Sequence, residues 1–117
     1  MTMATVISQM ACATPTQTTG PFTLDQAIQA AKADASRRTG TDVQALRVAG
    51  AENVTWRDGS LGCPDADRMY TQALVPGFRV RLESGGQVLD YHLSARGALL
   101  LCPAGRAQDP LPGAARI

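Results

Sequence analysis

The chain has 117 residues, 44% of them hydrophobic, which is enough for one domain with a hydrophobic core. Eleven basic and ten acidic residues are interspersed and leave a formal net charge of +1, which excludes the strongly positive surface of a nucleic-acid-binding protein. No stretch approaches the ~20 apolar residues of a membrane span. We therefore predict no nucleic-acid partner and no transmembrane segment.

Residues 1–20 are predicted to form a leader and flexible linker, since residues 13–20 are Ala, Thr, Pro, Gln and Gly without periodicity. The sequence Met10-Ala11-Cys12 before this polar stretch resembles the boundary of a bacterial lipoprotein signal, in which a small residue precedes the modified cysteine. Cys12 is therefore a candidate lipid-anchor site. The alternatives are that Cys12 is a free cysteine or pairs with another molecule.

An amphipathic helix is predicted for residues 24–38. Thr23 and Gln26 have the spacing of a capping box, and Gly40 supplies the left-handed residue that commonly ends a helix. The apolar positions recur at helical spacing and are mostly small: Leu24, Ala27, Ile28, Ala31 and Ala35. Such small side chains favour close packing of the helix on a sheet.

Strand patterns begin after the helix. Residues 43–48 and 53–56 are predicted as two strands, separated by a turn or bulge at residues 50–52. Residues 57–77 are predicted to be a long loop, because Asp, Gly, Pro and Ser dominate its first half, with a further short strand at residues 70–74.

The clearest strand pattern lies in the second half of the chain. Residues 78–83 alternate strictly, and Gly85-Gly86 is typical of a tight hairpin turn. Residues 87–93 form the returning strand, and residues 98–102 form a last strand. The two hairpin strands each place apolar residues on one face: Phe78, Val80 and Leu82, then Leu89, Tyr91 and Leu93.

The predicted fold is α+β, with one N-terminal helix packed across a four- or five-stranded antiparallel meander. The folded domain is predicted to span residues 21–103. Residues 104–117 are rich in Pro, Gly and Ala, and we expect them to form a loosely ordered tail.

Cys63 and Cys102 bracket the β-rich region and are predicted to form one structural disulfide, which leaves Cys12 as the odd cysteine. A structural disulfide is typical of an oxidising compartment. We therefore expect an exported protein, periplasmic or extracellular, with a candidate lipid anchor at Cys12.

The loop at residues 56–64 has two interpretations. In the favoured one, Trp56 covers the core and the disulfide. In the other, the disulfide holds the loop rigid so that Trp56, Arg57, Ser60 and Leu61 contact a partner, because pre-organisation lowers the entropic cost of binding. Small peptidase inhibitors present such loops.

His92 and Cys63 are the residues on which an enzymatic alternative depends, as a base and its nucleophile. The favoured alternative is that His92 is a surface residue on the polar face of its strand, beside Asp90. A cysteine held in a disulfide is not a nucleophile, so we predict no catalytic residues. No cofactor and no metal site are predicted either, because the cysteines lack the short spacing of a zinc site.

Two resemblances apply to this pattern. The sequence V-T-W-x-D-G-S-L-G-C-P…M-Y-T-Q-A-L-V-P-G, which begins at Val54, resembles a motif of small bacterial exported proteins of unknown function. The order of helix, strands and Gly-Gly hairpin is similar to PepSY and cystatin-like domains. That second resemblance implies a helix packed into a curved antiparallel sheet and a role in binding or inhibiting peptidases, and it assigns no residue a role.

The expected function is that of an exported, non-enzymatic domain that binds a protein or peptide partner. One alternative is a peptidase inhibitor that uses residues 56–64. The other is a small enzyme that uses Cys63 and His92.

Overall fold

The computed structural model describes residues 22–112, so Cys12 and the predicted leader lie outside the described residues. These described residues form one α-helix and four strands: α1 (Leu24–Thr39), β1 (Arg47–Trp56), β2 (Val75–Ser84), β3 (Gln87–Ser94) and β4 (Leu99–Leu101). The strands pair antiparallel in the order of the sequence. The predicted α+β fold is confirmed, with four strands in the meander. Within residues 22–112, no helix has the length and apolar character needed to cross a membrane.

Helix α1 begins and ends as its sequence predicts. The Gln26 N–H donates to Thr23 Oγ1 (3.1 Å), and the Thr23 N–H donates to Gln26 Oε1 (2.8 Å), which completes the capping box. At the other end Gly40 has φ +77°, and its N–H donates to the carbonyl of Ser36.

The core lies between α1 and one face of the sheet. Three alanines of the helix are fully buried, and their small side chains let the helix backbone approach the strands closely. Leu89 is partly buried against the core cluster, and the other five alternating residues predicted for the sheet are buried in it with Leu46: Phe78, Val80, Leu82, Tyr91 and Leu93.

One buried position of α1 is charged, although the predicted stripe names only apolar residues. Asp34 is 7% exposed, and its Oδ2 accepts a hydrogen bond of 2.7 Å from the Tyr91 hydroxyl group. Arg37 and Arg38 form ion pairs with the same carboxylate from one turn further along the helix. The buried charge therefore has partners on both the helix and the sheet, as a buried carboxylate requires.

Two details of the strand prediction are wrong. Residues 43–56 do not form two strands, because Val43–Ala45 is a 3-10 turn and β1 continues through a bulge between Val48 and Gly50. Residues 70–74 form no strand. The carbonyl of Thr71 instead accepts a hydrogen bond from the Gly59 N–H within the loop.

The hairpin between β2 and β3 has the predicted two-residue turn, with φ +57° at Gly85 and +83° at Gly86. At the opposite end of the hairpin, Pro76 has no N–H to offer to β3. The Ala95 N–H donates to the Pro76 carbonyl, but the Ala95 carbonyl accepts from the Phe22 N–H (2.8 Å). The residue before the helix cap thus supplies the donor that proline lacks.

Candidate functional site

The face of the sheet opposite α1 carries an unusual set of side chains, which we call the loop face: Trp56, Arg79, Asp90 and His92. These residues alternate with the core residues along β1, β2 and β3. The loop after β1 folds back over this face, so the sheet is buried on both sides at the centre of the domain.

A disulfide ties the loop to the sheet. Cys63 is bonded to Cys102 across a sequence separation of 39 residues, with 5.8 Å between the Cα atoms. Cys102 directly follows β4, and its N–H donates to the carbonyl of Asp90. The predicted disulfide is therefore present, and it ties the loop to the residue that follows β4, beside Asp90 of β3.

Residues 58–63 form two tight turns that bring the loop down onto the sheet. Asp58 Oδ1 accepts hydrogen bonds from the side chain of Ser60 (2.7 Å) and from its N–H (2.9 Å), and these bonds hold the pKa of Asp58 below its usual value. Leu61 and Gly62 then adopt positive φ, and the Cys63 N–H donates to the Ser60 carbonyl.

Position 62 requires glycine for two reasons: its positive φ and the lack of space for a side chain. A Cβ atom at this position would lie 2.7 Å from Trp56 Cε3 and 2.8 Å from the carbonyl oxygen of Gln108. The loop backbone therefore rests directly on the indole ring, where only glycine fits.

Trp56 is fully buried under this loop. Its Nε1–H donates to the carbonyl of Leu93 (3.0 Å), and its ring stacks on the His92 ring with 4.5 Å between centroids and 20° between planes. Trp56 is buried, as the favoured interpretation expects, but it lies on the loop face and is not a member of the hydrophobic core cluster beneath α1.

His92 is not a surface residue, so that prediction is wrong. Its side chain is fully buried, because the loop covers the polar side of β3 that the alternation pattern assigns to solvent. The ring Nδ1 lies 2.6 Å from the carbonyl oxygen of Leu61, and Nε2 lies 3.2 Å from Asp90 Oδ2. His92 therefore connects the loop to the sheet.

The charges around His92 alternate in sign. Burial alone would raise the pKa of Asp90, but His92 and the guanidinium groups of Arg81 and Arg79 hold this pKa below its usual value. Arg79 lies directly across from His92 in the ladder and pairs with Glu52 (2.6 Å) on β1 and with Asp109 (3.2 Å). The loop face is thus a charged network that is partly shielded from solvent.

The loop does not present most of its predicted partner-binding residues. Trp56, Ser60 and Leu61 are buried, and Arg57 alone of the four is exposed. Their side chains face the sheet because the disulfide and the turns hold the loop flat against it. The predicted contact with a partner through these three side chains is therefore wrong for this conformation.

The exposed part of the loop is the next stretch, which we call the 65–74 segment. Met69 is 94% exposed and Leu74 is 63% exposed. The Asp65 N–H donates to the Tyr70 hydroxyl oxygen (3.0 Å), and the carbonyl of Thr71 is bonded to Gly59 (2.9 Å). The sequence predicts a short strand for residues 70–74 of this segment, and the structure has an exposed loop there instead.

The described part of the predicted tail, residues 104–112, is attached to the domain, and we call it the C-terminal strap. The Gln108 N–H donates to the Gly62 carbonyl (2.8 Å), and the Leu111 N–H donates to the Thr55 carbonyl (2.9 Å). The guanidinium group of Arg106 donates to the Pro64 carbonyl (3.1 Å). The strap therefore holds the loop from its outer side.

The nucleophile–base couple of the enzymatic alternative is not formed. Cys63 is bonded to Cys102, and the two ring nitrogens of His92 face Leu61 and Asp90. Among residues 22–112, no three side chains of His, Cys, Asp or Glu are grouped as a metal site would require.

Comparison with protein families gives one match, to a domain of unknown function, DUF8738, over residues 28–102. The chain belongs to the DUF8738 family. The DUF8738 region contains all four strands and both disulfide cysteines, and it begins inside helix α1. The match assigns no activity and does not confirm the resemblance to PepSY and cystatin-like domains or to the exported-protein motif. No curated protein and no solved structure matches the chain.

Proposed function

We propose that this protein is an exported, non-enzymatic domain that binds a protein or peptide partner through the 65–74 segment. The observation that carries this proposal is the exposure of Met69 and Leu74 on a stretch of backbone that is fixed at both ends. An exposed apolar side chain has no role in the core of its own domain.

The composition of the segment suits a protein interface. Methionine is enriched at interfaces and adapts its shape to a partner, and tyrosine offers both an apolar ring and a polar group. The guanidinium group of Arg68 lies 5.8 Å from the centre of the Tyr70 ring. Since Gly59, Asp65 and the disulfide anchor the neighbouring backbone, binding would cost less conformational entropy than binding by a free loop.

Export is supported by the disulfide, because structural disulfides persist in oxidising compartments and are rare in the cytosol. Cys12 stays a candidate lipid anchor. Cell fractionation tests both parts: we expect the wild-type protein in the envelope or the medium. If Cys12 carries the anchor, the Cys12→Ser variant moves from the membrane to the soluble exported fraction. Recovery of the wild type in the cytosol with a free Cys63 thiol would contradict the export proposal.

The peptidase-inhibitor alternative gains no support from residues 56–64, because that loop lies flat on the sheet with three of its four candidate side chains buried. An inhibitory loop must enter the cleft of a peptidase. The segment that exposes apolar side chains is 65–74, so we assign the proposed partner contact to it instead of to residues 56–64.

A site-specific photo-crosslinker tests the proposed surface in the native cell. We place it at Met69 and, as a matched control, at Val88, which is an apolar residue that is 55% exposed on the hairpin. We expect one discrete crosslinked protein from position 69 and none from position 88. The same product from both positions, or none from position 69, would overturn the proposal.

Affinity measurements on the identified partner then locate the contact. We expect Met69→Asp to weaken binding by about tenfold or more, as for an anchor residue of an interface, and Val88→Asp to leave it unchanged. Both variants should keep the melting temperature of the wild type, since neither side chain contributes to the core. Equal affinity of all three proteins would exclude the 65–74 segment as the contact.

A further inference from the structure

We propose that the outer edge of β4 is a self-association surface, on which a second copy of this chain pairs its own β4 antiparallel and joins the two sheets into one. The strand order β1-β2-β3-β4 leaves β1 and β4 as the two edge strands of the sheet. We call Leu99–Leu101, with the backbone groups that it directs away from β3, the β4 edge. No residue of the 65–74 segment belongs to it.

The backbone of β4 alternates between groups that bond to β3 and groups that point outward. Ala98 and Cys102, which flank the strand, each form a backbone hydrogen bond of 2.9 Å with β3. Since successive residues of an antiparallel strand direct their N–H and carbonyl groups to opposite sides, Leu99 and Leu101 direct theirs away from β3. Within residues 22–112, no hydrogen bond is made to these outward groups. The β4 edge therefore has donors and acceptors to offer to another strand.

These outward groups match those of a second copy. In antiparallel pairing about a two-fold axis at Leu100, Leu99 of each copy lies opposite Leu101 of the other, and both residues direct their backbone groups across the contact. Each such pair exchanges N–H···O=C bonds in both directions. The Leu100 side chains of the two copies then meet at the non-hydrogen-bonded position, where opposite side chains approach most closely. Pro103 has no N–H and ends the pairing.

The side chains of the β4 edge favour a partner of the same kind. All three leucines are half-buried, and Leu99 and Leu101 pack against the core cluster from its margin. Helix α1 packs mainly on β1 and β2, so the β4 end of the sheet has the thinner cover on the helix side. Residues 97–105 include no charged residue, so two copies meet there without repulsion between like charges. Leucines of a second β4 would extend the apolar cover of this end.

The other edge of the sheet is protected against the same contact. Strand β1 has a bulge between Val48 and Gly50 and an exposed charge at Glu52, and the Thr55 carbonyl is already bonded to the C-terminal strap. Pairing of β4 with β1 of another copy would continue into an open fibre, whereas pairing of β4 with β4 closes after two copies. The difference between the edges therefore favours a two-fold dimer. Because β4 has only three residues, we expect the dimer to be weak.

Amide hydrogen exchange, followed by NMR, tests the contact residue by residue. We expect the exchange of the Leu99 and Leu101 amides to slow at least about threefold when the protein concentration is raised about a hundredfold. The matched control is the β1 edge. Ala51 and Asn53 alternate with Thr55, whose carbonyl points outward to the strap, so their amides also face outward and should exchange at one rate throughout. Exchange at 99 and 101 that does not depend on concentration would overturn the proposal, whether these amides are fast or are protected by their own chain.

Sedimentation of the folded protein measures the size of the assembly. All proteins carry Cys12→Ser, so that an intermolecular disulfide cannot form a dimer at that position. We expect the parent protein to pass from monomer to dimer as its concentration rises, and Leu100→Lys to remain a monomer, because a lysine on an edge strand opposes pairing. Leu100 is outside the core cluster, and Val88→Lys, at an exposed apolar residue of β3, is the control that should still dimerise.

The remaining outcomes of sedimentation contradict the proposal. A parent protein that is monomeric at every concentration has no such contact. A dimer that persists in folded Leu100→Lys is formed by another surface, and assemblies that grow beyond two copies indicate pairing of unlike edges. If Leu100→Lys does not fold, the parent protein still decides the matter, because dimerisation and the slower exchange at Leu99 and Leu101 must then have the same concentration midpoint. Different midpoints would place the dimer contact elsewhere.

Discussion

The Tyr91 hydroxyl group donates a hydrogen bond of 2.7 Å to Asp34 Oδ2, and this bond joins the centre of the sheet to the helix. Both residues are buried, and Asp34 also forms ion pairs with Arg37 and Arg38 of its own helix. Burial and the neighbouring carboxylate together raise the pKa of Tyr91 well above its usual value, so the hydroxyl group keeps its proton and remains the donor. The contact fixes the position of α1 along the sheet.

Tyr91→Phe should lower the free energy of unfolding by about 2 kcal/mol, because it removes a buried hydrogen bond to a charged group without leaving a large cavity. Urea unfolding measures this loss. The matched control is Tyr70→Phe, since the Tyr70 hydroxyl group bonds to an amide in the exposed 65–74 segment. We expect the control to cost less than about 1 kcal/mol. A larger loss in the control would show that the 65–74 segment, rather than the helix contact, limits stability.

Acid should destabilise the domain through its buried carboxylates. Burial alone would raise the pKa of Asp34, but hydrogen bonds from Arg38, Tyr91 and Arg37 hold this pKa below its ordinary value. The pKa of Asp90 is likewise lowered. A lowered pKa in the folded state means that the unfolded chain takes up protons first as the pH falls, so the stabilisation is present at neutral pH and is lost below about pH 5.

Unfolding free energies measured from about pH 6 to about pH 2 test this direction. We expect a steep fall for the wild type and a shallower one for Asp34→Asn, which has no charge to lose at that position. Asp67→Asn is the control, because Asp67 is an exposed loop residue whose substitution should leave the curve unchanged. Parallel curves for the wild type and Asp34→Asn would show that Asp34 does not carry the acid sensitivity.

The disulfide should contribute a large part of the stability. In the chain-entropy model, a loop of this length stabilises the folded state by about 4 kcal/mol. Cys63→Ser, Cys102→Ser and the double variant should therefore lose the same amount, since each removes the same bond. Denaturant unfolding measures the three losses, and a double variant that loses twice as much would indicate that the two sulfurs act separately. Cys12→Ser is expected to unfold like the wild type.

Gly62→Ala should be among the most disruptive single substitutions. It adds a methyl group against Trp56 and Gln108 and forces an L residue to φ +73°. Gly86→Ala separates the two effects, because Gly86 has φ +83° but open space around it. We expect the control to cost about 1–2 kcal/mol from backbone strain and Gly62→Ala to cost about 1–3 kcal/mol more from overpacking. Thermal unfolding of both proteins measures the difference, and equal losses would mean that the loop yields to the added atom.

The parts of the fold that the sequence predicts well depend on neighbours in the chain. The capping box needs only Thr23 and Gln26, three residues apart, and the hairpin turn needs only Gly85 and Gly86. The alternation of β2 likewise identifies its buried face from six consecutive residues. These signals are local, so a single sequence is enough to recognise them.

The loop face could not be predicted in this way. Alternation in β3 assigns His92 to solvent, because one face of an antiparallel sheet is normally exposed. That face is covered here by residues far away in the sequence, the loop at 57–63 and the C-terminal strap. The hint that was available is Trp56, a large apolar residue that shares one face of β1 with Val54 and Glu52 and needs a cover on that side of the sheet.

The burial of Asp34 had a clearer signal. The residue falls on the apolar stripe of α1, seven positions after Ala27, and it is followed by arginines three and four positions later. A carboxylate in that position with two cations within one turn is typical of a neutralised buried charge. The two arginines also lie in the last turn of α1, where a cation suits the helix dipole, but their ion-pair partner is the carboxylate one turn earlier.

The hydrogen bond from the Phe22 N–H to the Ala95 carbonyl affects where a fragment of this protein can begin and still fold. A fragment limited to residues 28–102 would lack that amide, the capping box and every contact of the C-terminal strap. The Ala95 carbonyl at the open end of the β2–β3 hairpin would then have no hydrogen-bond donor, because Pro76 opposite it has no N–H. We expect a stable fragment to begin before Phe22 and to end after Leu111. The residues matched by the family, 28–102, are therefore shorter than the folded domain at both ends.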